Sequence, residues 1–161
     1  MSYTNADGLR VLTGADQGAV LTQGTATSAI RHTLVMDVTL TSVATTFGAS
    51  DINVNNPFIP ANSLIVGATL VMTSGATSDG SPTLDIGTYN AAGTAIVATG
   101  IDAAIGLAAI DGAGETVRCD GTHIVTAGPG RVTSDAYIGL KWNTAAYTGG
   151  VGKLYVEYIK L

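Results

Sequence analysis

Hydrophobic and polar residues alternate along much of this chain with the period of two that marks a half-buried β-strand. In TLVMDVTL (33–40), Leu34, Met36, Val38 and Leu40 point one way, and Thr33, Val35, Asp37 and Thr39 the other. In TLDIGTY (83–89), Leu84 and Ile86 oppose Thr83, Asp85 and Gly87. AYIGLKW (136–142) sets Ala136, Ile138, Leu140 and Trp142 against Tyr137, Gly139 and Lys141. KLYVEYIK (153–160) sets Leu154, Val156 and Tyr158 against Lys153, Tyr155 and Glu157. The longest such run lies in FIPANSLIVGATLVMTSG, which carries no charge. There Leu64, Val66, Ala68, Leu70 and Met72 form one face, and Ile65, Gly67, Thr69, Val71 and Thr73 the other. Both faces are fairly apolar, which predicts a central strand. The two prolines of NPFIPAN fix φ and remove N–H donors, so a turn leads into it.

Weaker strand patterns occur at 43–47, 94–98 and 123–126, and at 9–13 and 19–22. Turn-forming clusters separate the strands: SGATSDGSP, NAAG, DGAGE, AGPG and TGG. The one helix candidate, DAAIGLAAI (102–110), is Ala-rich, but Gly106 costs about 1 kcal/mol against Ala in a helix interior. It predicts a short helix or a loop with one turn. Many short strands, Gly-rich turns and almost no helix define an all-β protein. The expected fold is a jelly-roll-like antiparallel β-sandwich with at most one short helix. No repeat of 20–50 residues is present, which excludes propellers and solenoids. Residues 1–31 are small, polar and weakly periodic. They are expected to form an extended N-terminal arm or edge strand, with residues 32–161 as a single sandwich domain.

Charge changes the picture most. Only 12% of the 161 residues are charged, against about 25% in an ordinary domain. Gly, Ala, Thr and Ser fill the gap. A surface of hydroxyls, methyls and backbone suits permanent contact with other proteins, because interface cores are depleted in charge. The net charge is −5, and Arg10, Arg31, Arg118, Arg131, Lys141, Lys153 and Lys160 are scattered singly, which argues against nucleic acid as a partner. A spanning helix needs about 20 mostly apolar residues. The uncharged run is broken by Pro60, Asn62, Ser63, Gly67 and several Thr and Gly, so no membrane segment is expected. MSYTNADGLR lacks the basic start and apolar stretch of a secretory signal. The single cysteine, Cys119, excludes an internal disulfide and a multi-Cys metal site, and is expected to be a buried or half-buried thiol.

A search for catalytic groups finds no motif. Ser, His123 and Asp120 could be drawn as a triad, but no G-x-S-x-G elbow accompanies them, and His123 is expected to be a strand histidine with an ordinary hydrogen-bond partner. TGGVGKL (148–154) resembles a phosphate loop, yet Tyr147 stands where the first glycine belongs, Leu154 replaces the hydroxyl, and a strand follows. Asp111, Glu115 and Asp120 lie in a Gly-containing loop without the alternate-position spacing of an EF-hand, so solvated turn carboxylates are expected rather than a metal site. A sugar platform would draw on Trp142, Tyr137 or Tyr155, but Trp142 is expected in the core. No catalytic, cofactor-binding or metal-ligating residue is assigned.

The segment FIPANSLIVGATLVMTSGATSDGSPTLDIGTYNAAGTAIVATGIDAA (58–104) combines a proline-led turn, a long strand, a Gly/Ser/Thr loop, T-L-D-I-G and a second hairpin. In this it resembles the capsid decoration, or cement, proteins of tailed bacteriophages, including those of cyanophages and other marine phages. The resemblance covers roughly the middle third of the chain and carries no site residues with it. It implies a β-sandwich or jelly roll without enzymatic activity or cofactor. It further implies a virion structural protein, made in the host cytoplasm and seated as a homotrimer on the outer capsid surface, where it bridges major capsid protein subunits. A head-fibre, tail or surface module that recognises host glycan is the alternative. Residues 1–31 are then expected to order mainly on assembly.

Overall fold

The computed structural model describes residues 31–52, 56–125 and 130–161, together with the backbone of 2–4 and 10–12. Two short strands, β1 (Ser2–Thr4) and β2 (Arg10–Leu12), pair with each other. The second of these falls within the strand expected at 9–13, while 19–22 lies outside the described residues.

The body is built from β3 (Arg31–Thr39), β4 (Phe58–Ile59), β5 (Ser63–Thr77), β6 (Thr83–Tyr89), β7 (Ala95–Gly106), β8 (Thr116–Arg118), β9 (Arg131–Val132), β10 (Ala136–Asn143) and β11 (Gly149–Lys160). They form two antiparallel sheets, ordered β3-β11-β5-β8 and β4-β10-β6-β7, with β9 also paired to β5. Lettered B to I in chain order with β9 left aside, the eight strands read B-I-D-G and C-H-E-F. That is the order of a jelly roll, in which the chain folds back as paired Greek keys.

The alternating residues of both inner faces meet in one core. Leu34, Val38, Ala68, Leu70, Met72, Leu154 and Val156 come from B-I-D-G, and Ile59, Leu84, Ile86, Ile101, Ile105, Ala136 and Ile138 from C-H-E-F. The uncharged run thus becomes β5, a fifteen-residue strand hydrogen-bonded on both sides. No helix among the described residues is long and apolar enough to cross a membrane.

The phase of β5 departs from expectation. Val66 has no opposite residue on β11, because Gly67 pairs with Glu157 while Ile65 pairs with Tyr158. The extra residue exchanges the two faces, so Ser63 and Ile65 are buried before the bulge and Ala68, Leu70 and Met72 after it. At the far end, Gly150 (φ +121°) has no room for a side chain. A Cβ there would lie 2.7 Å from Leu40 Cδ1 and 2.9 Å from Ala76 Cα.

Three local expectations are corrected. Residues 102–110 are not a helix: β7 extends to Gly106, and only a 3-10 turn follows at Leu107–Ala109. Of the strand expected at 123–126, residues 123–125 are helical instead, since Thr122–Val125 form α1, the one α-helix among the described residues, and 126 lies outside the described residues. Its His123 is buried against Thr88, and Gly100 supplies the space for the imidazole. Residues 43–47 are not a strand either. Ala44 alone makes a parallel bridge, to Lys141, and its carbonyl accepts from the Trp142 N–H at 3.0 Å.

Candidate functional site

The side chains with chemical potential are dispersed and committed to structure. Thr88 Oγ1 and His123 Nε2 share a buried hydrogen bond of 3.0 Å, while Asp120 is exposed. Cys119 is buried, and its thiol is hydrogen-bonded to Asp102. Burial above all, and then the Asp102 carboxylate, pushes that thiol up to about 12, which removes its nucleophilic form. Burial likewise raises the Asp102 carboxyl above the usual carboxylate range, although the Ala103 N–H donates to it at 2.7 Å. In the 111–121 loop, the Glu115 carboxylate accepts from the Gly112 N–H at 2.8 Å and so closes a turn. Among the described residues no three His, Cys, Asp or Glu side chains converge as a metal site. Residues 149–154 of the phosphate-loop lookalike are the start of β11.

A polar group is buried behind C-H-E-F. Asp85 accepts from the Ala104 N–H at 2.8 Å and from Asn143 Nδ2 at 3.0 Å, and Lys141 Nζ stands 3.2 Å away. Burial drives the Asp85 carboxyl upward. The Asn143 amide, the Ala104 N–H and the Lys141 ammonium together outweigh burial and hold it below its ordinary range. The Tyr147 phenol is raised to about 12, by burial first and then by the Asp85 charge. Asp85, Asn143 and Lys141 satisfy one another, so the cluster reads as structural.

What the fold exposes is surface. The outer face of B-I-D-G presents Thr33 and Val35 from β3, Val151, Tyr155 and Glu157 from β11, and Thr69 and Thr73 from β5. Across β3 and β11 its charges are paired, Arg31 with Glu157 at 2.8 Å and Lys153 with Asp37 at 2.5 Å, while β8 adds the exposed Arg118 opposite Thr69. Between them β3 and β11 present a charge-balanced patch of methyl and hydroxyl groups.

C-H-E-F carries a second feature on its outer side. Phe58 and Tyr137, opposite each other on β4 and β10, have ring centroids 5.6 Å apart. Tyr137 in turn pairs with Tyr89 on β6, and Phe47 packs on Tyr89 at 4.5 Å. Gly139 lies beneath, where a Cβ would meet both Tyr89 and Phe47. Phe58 is exposed and Tyr137 half-buried. Of the aromatics considered from sequence, only Tyr137 belongs here. Trp142 is partly buried against the core and donates its indole N–H to the Val43 carbonyl at 2.9 Å, and Tyr155 is on the other sheet. Strand pairing assembles this cluster from four distant segments, so no local sequence signal marks it. Beside it, a cleft of about 410 Å³ opens between β3, the 42–47 segment and β10, lined by Met36, Val38, Val43, Phe47, Ile138 and Leu140 among others.

No protein-family model matches the sequence, and no curated protein matches it. Solved structures do. A chain in the capsid of Ralstonia phage GP4 is similar over 90% of this chain and 94% of its own, with a TM-score of 0.55 and 21% identity. A chain in the acid-stable capsid of Helicobacter pylori bacteriophage KHP30 is similar over 81% of this chain and 87% of its own, with a TM-score of 0.50 and 11% identity. A chain from the capsid asymmetric unit of cyanophage Pam1 covers 92% of this chain at a TM-score of 0.48 and 18% identity. At these identities the first two establish a shared fold.

Proposed function

We propose that this protein is a structural component of a bacteriophage virion. It decorates the outer face of the capsid and stabilises the shell by bridging neighbouring major capsid subunits, as a homotrimer and without catalysis. The observation that carries this reading is the likeness of nearly the whole chain to a chain in the capsid of Ralstonia phage GP4. The charge-paired part of the outer face that β3 and β11 present is in keeping with it, because it can be buried with little charge desolvation. The expected arm of residues 1–31, up to the start of β3 at Arg31, orders on assembly and can add backbone to a neighbouring sheet edge.

The test is reconstitution. Shells stripped of the protein should rebind it and gain resistance to heat and chelation; shells that ignore it refute the cement role. Limited proteolysis tests the arm, which should be cut in the free protein and protected on particles. Equal protection in both argues against an assembly role.

The Phe58–Tyr137 pair, with Phe58 exposed, favours a second reading, recognition of host glycan by stacking of a sugar ring. A glycan array of wild type against Phe58→Ala decides this, and no binding by wild type removes the reading.

A further inference from the structure

A sandwich must protect the unpaired N–H and C=O groups along its sheet edges, because a long regular edge is a template for another strand. Three of the edges in this sandwich are blunted. β4 is two residues long and lies between Pro57 and Pro60. β7 is long, but its ladder to β6 shifts register three times. The far side of B-I-D-G ends in β8 and β9, three and two residues long. The fourth edge, β3, is different. It runs nine residues without Pro or Gly and pairs with β11 at every position from Arg31 to Thr39 with no register shift. Among the described residues, its other side pairs with no strand.

The charges on β3 say what fits there. Arg31 and Asp37 both stand on the outer face, with side chains 61% and 82% exposed. They are of opposite sign and symmetric about Leu34. We propose that two copies of this chain join edge to edge through β3, antiparallel about a two-fold axis at Leu34, so that their B-I-D-G sheets become one continuous sheet. In this register Arg31 lies opposite Asp37 of the second copy, and Asp37 opposite its Arg31. Each already holds an ion-pair partner in its own copy, so the junction builds two rows of alternating sign: Glu157, Arg31, then Asp37 and Lys153 of the second copy. The exposed Val35 faces Thr33, a β-branched pair suited to a sheet surface. On the other face Leu34 meets Leu34, and His32 meets Met36.

The charges also select this register. A shift of two residues sets Arg31 against Val35 or Thr39 and leaves both charges without an opposite across the junction. A shift of one residue brings inner-face residues opposite outer-face ones. The junction is two-fold, so it adds to any three-fold contact made elsewhere and would link trimers in pairs. It does not depend on the capsid reading.

The test is charge exchange followed by mixing. Arg31→Asp alone places a carboxylate against Asp37 twice per junction, and Asp37→Arg alone places a guanidinium against Arg31 twice. Each should associate on the order of tenfold more weakly than wild type. An equimolar mixture should recover a 1:1 species with twice the mass of either variant. In that species both carboxylates of the Arg31→Asp strand face guanidinium groups of the Asp37→Arg strand. Sedimentation equilibrium at several concentrations reads all three samples. As a check of register, Thr33→Cys and Val35→Cys proteins mixed and oxidised should form a mixed disulfide, since directly opposed strand residues lie within disulfide reach. Wild-type mass equal to that of both variants, or a mixture that fails to associate, overturns the proposal. Failure of shells to rebind the protein bears on the capsid reading and leaves this result untouched.

Discussion

Replacing Gly87 with alanine puts a methyl group where the backbone of β7 already lies. Between the pairs Ile86–Asp102 and Thr88–Val97, the single residue Gly87 on β6 faces residues 98–101 on β7. The surplus backbone folds across the sheet. A Cβ on Gly87 would stand 2.3 Å from the Ala98 carbonyl oxygen, 2.6 Å from its carbon and 2.9 Å from its Cα. These are main-chain atoms between paired segments, so no rotamer change relieves the overlap. Overpacking a core costs about 1–3 kcal/mol, and backbone contact places Gly87→Ala near the upper end. At roughly 2–4 °C per kcal/mol for a chain of this size, the melting temperature should fall by about 6–12 °C. Gly67→Ala is the matched control. Gly67 is also in a strand and has nothing within 4 Å of an added Cβ. There the loss of unfolded-state freedom should stabilise by about 0.4–1 kcal/mol. Differential scanning calorimetry on both variants separates the outcomes. A Gly87→Ala protein that melts within about 1 °C of wild type would show that β7 does not lie across β6.

Leu70 is fully buried on β5, so Leu70→Ala should cost about 2–5 kcal/mol, read as a lower urea midpoint at unchanged slope. Asp85 and Asp102 should tilt the pH dependence of stability in opposite senses. Burial raises Asp102, so the folded state takes up a proton and stability falls as pH rises from 3.8 through the folded value. Asp102→Asn should remove that fall in melts collected from pH 3 to 7. Asp85 is held low, so its contribution is present above 3.8 and is lost as pH drops through its folded value. Asn143→Leu should therefore destabilise at neutral pH and converge on wild type in acid. Cys119, buried with its thiol pushed up to about 12, should resist a thiol reagent at pH 8 in the native protein and react fully in denaturant.

The strands were legible because alternation is local. TLVMDVTL, TLDIGTY, AYIGLKW and KLYVEYIK all became strands, and the jelly-roll class followed from their number and spacing. What failed depended on partners distant in sequence. The bulge at Val66 is defined by register against β11, so alternation alone puts residues 63–65 on the wrong faces. Asp85 and Gly87 look like the solvent side of β6, yet both are buried because 98–101 and the Asn143–Lys141 group cover them. HIVT has the composition of a strand, but with His123 packed on Thr88 and into the space beside Gly100 its residues 123–125 are helical. The Phe47, Phe58, Tyr89 and Tyr137 cluster exists only once β10 has joined β4 to β6.

The position of β11 has a consequence for how the protein is made. It lies between β3 and β5, which have no hydrogen bonds to each other. A ribosome delivers both of those strands well before residues 149–160. Until β11 arrives, each must wait with an apolar face and an unpaired edge, and B-I-D-G cannot close from one end as a hairpin would. Completion is therefore an insertion, slow by the nature of long-range pairing and exposed to aggregation while it is pending. Synthesis rate and holdase chaperones, more than intrinsic stability, should govern how much of this protein reaches its folded form.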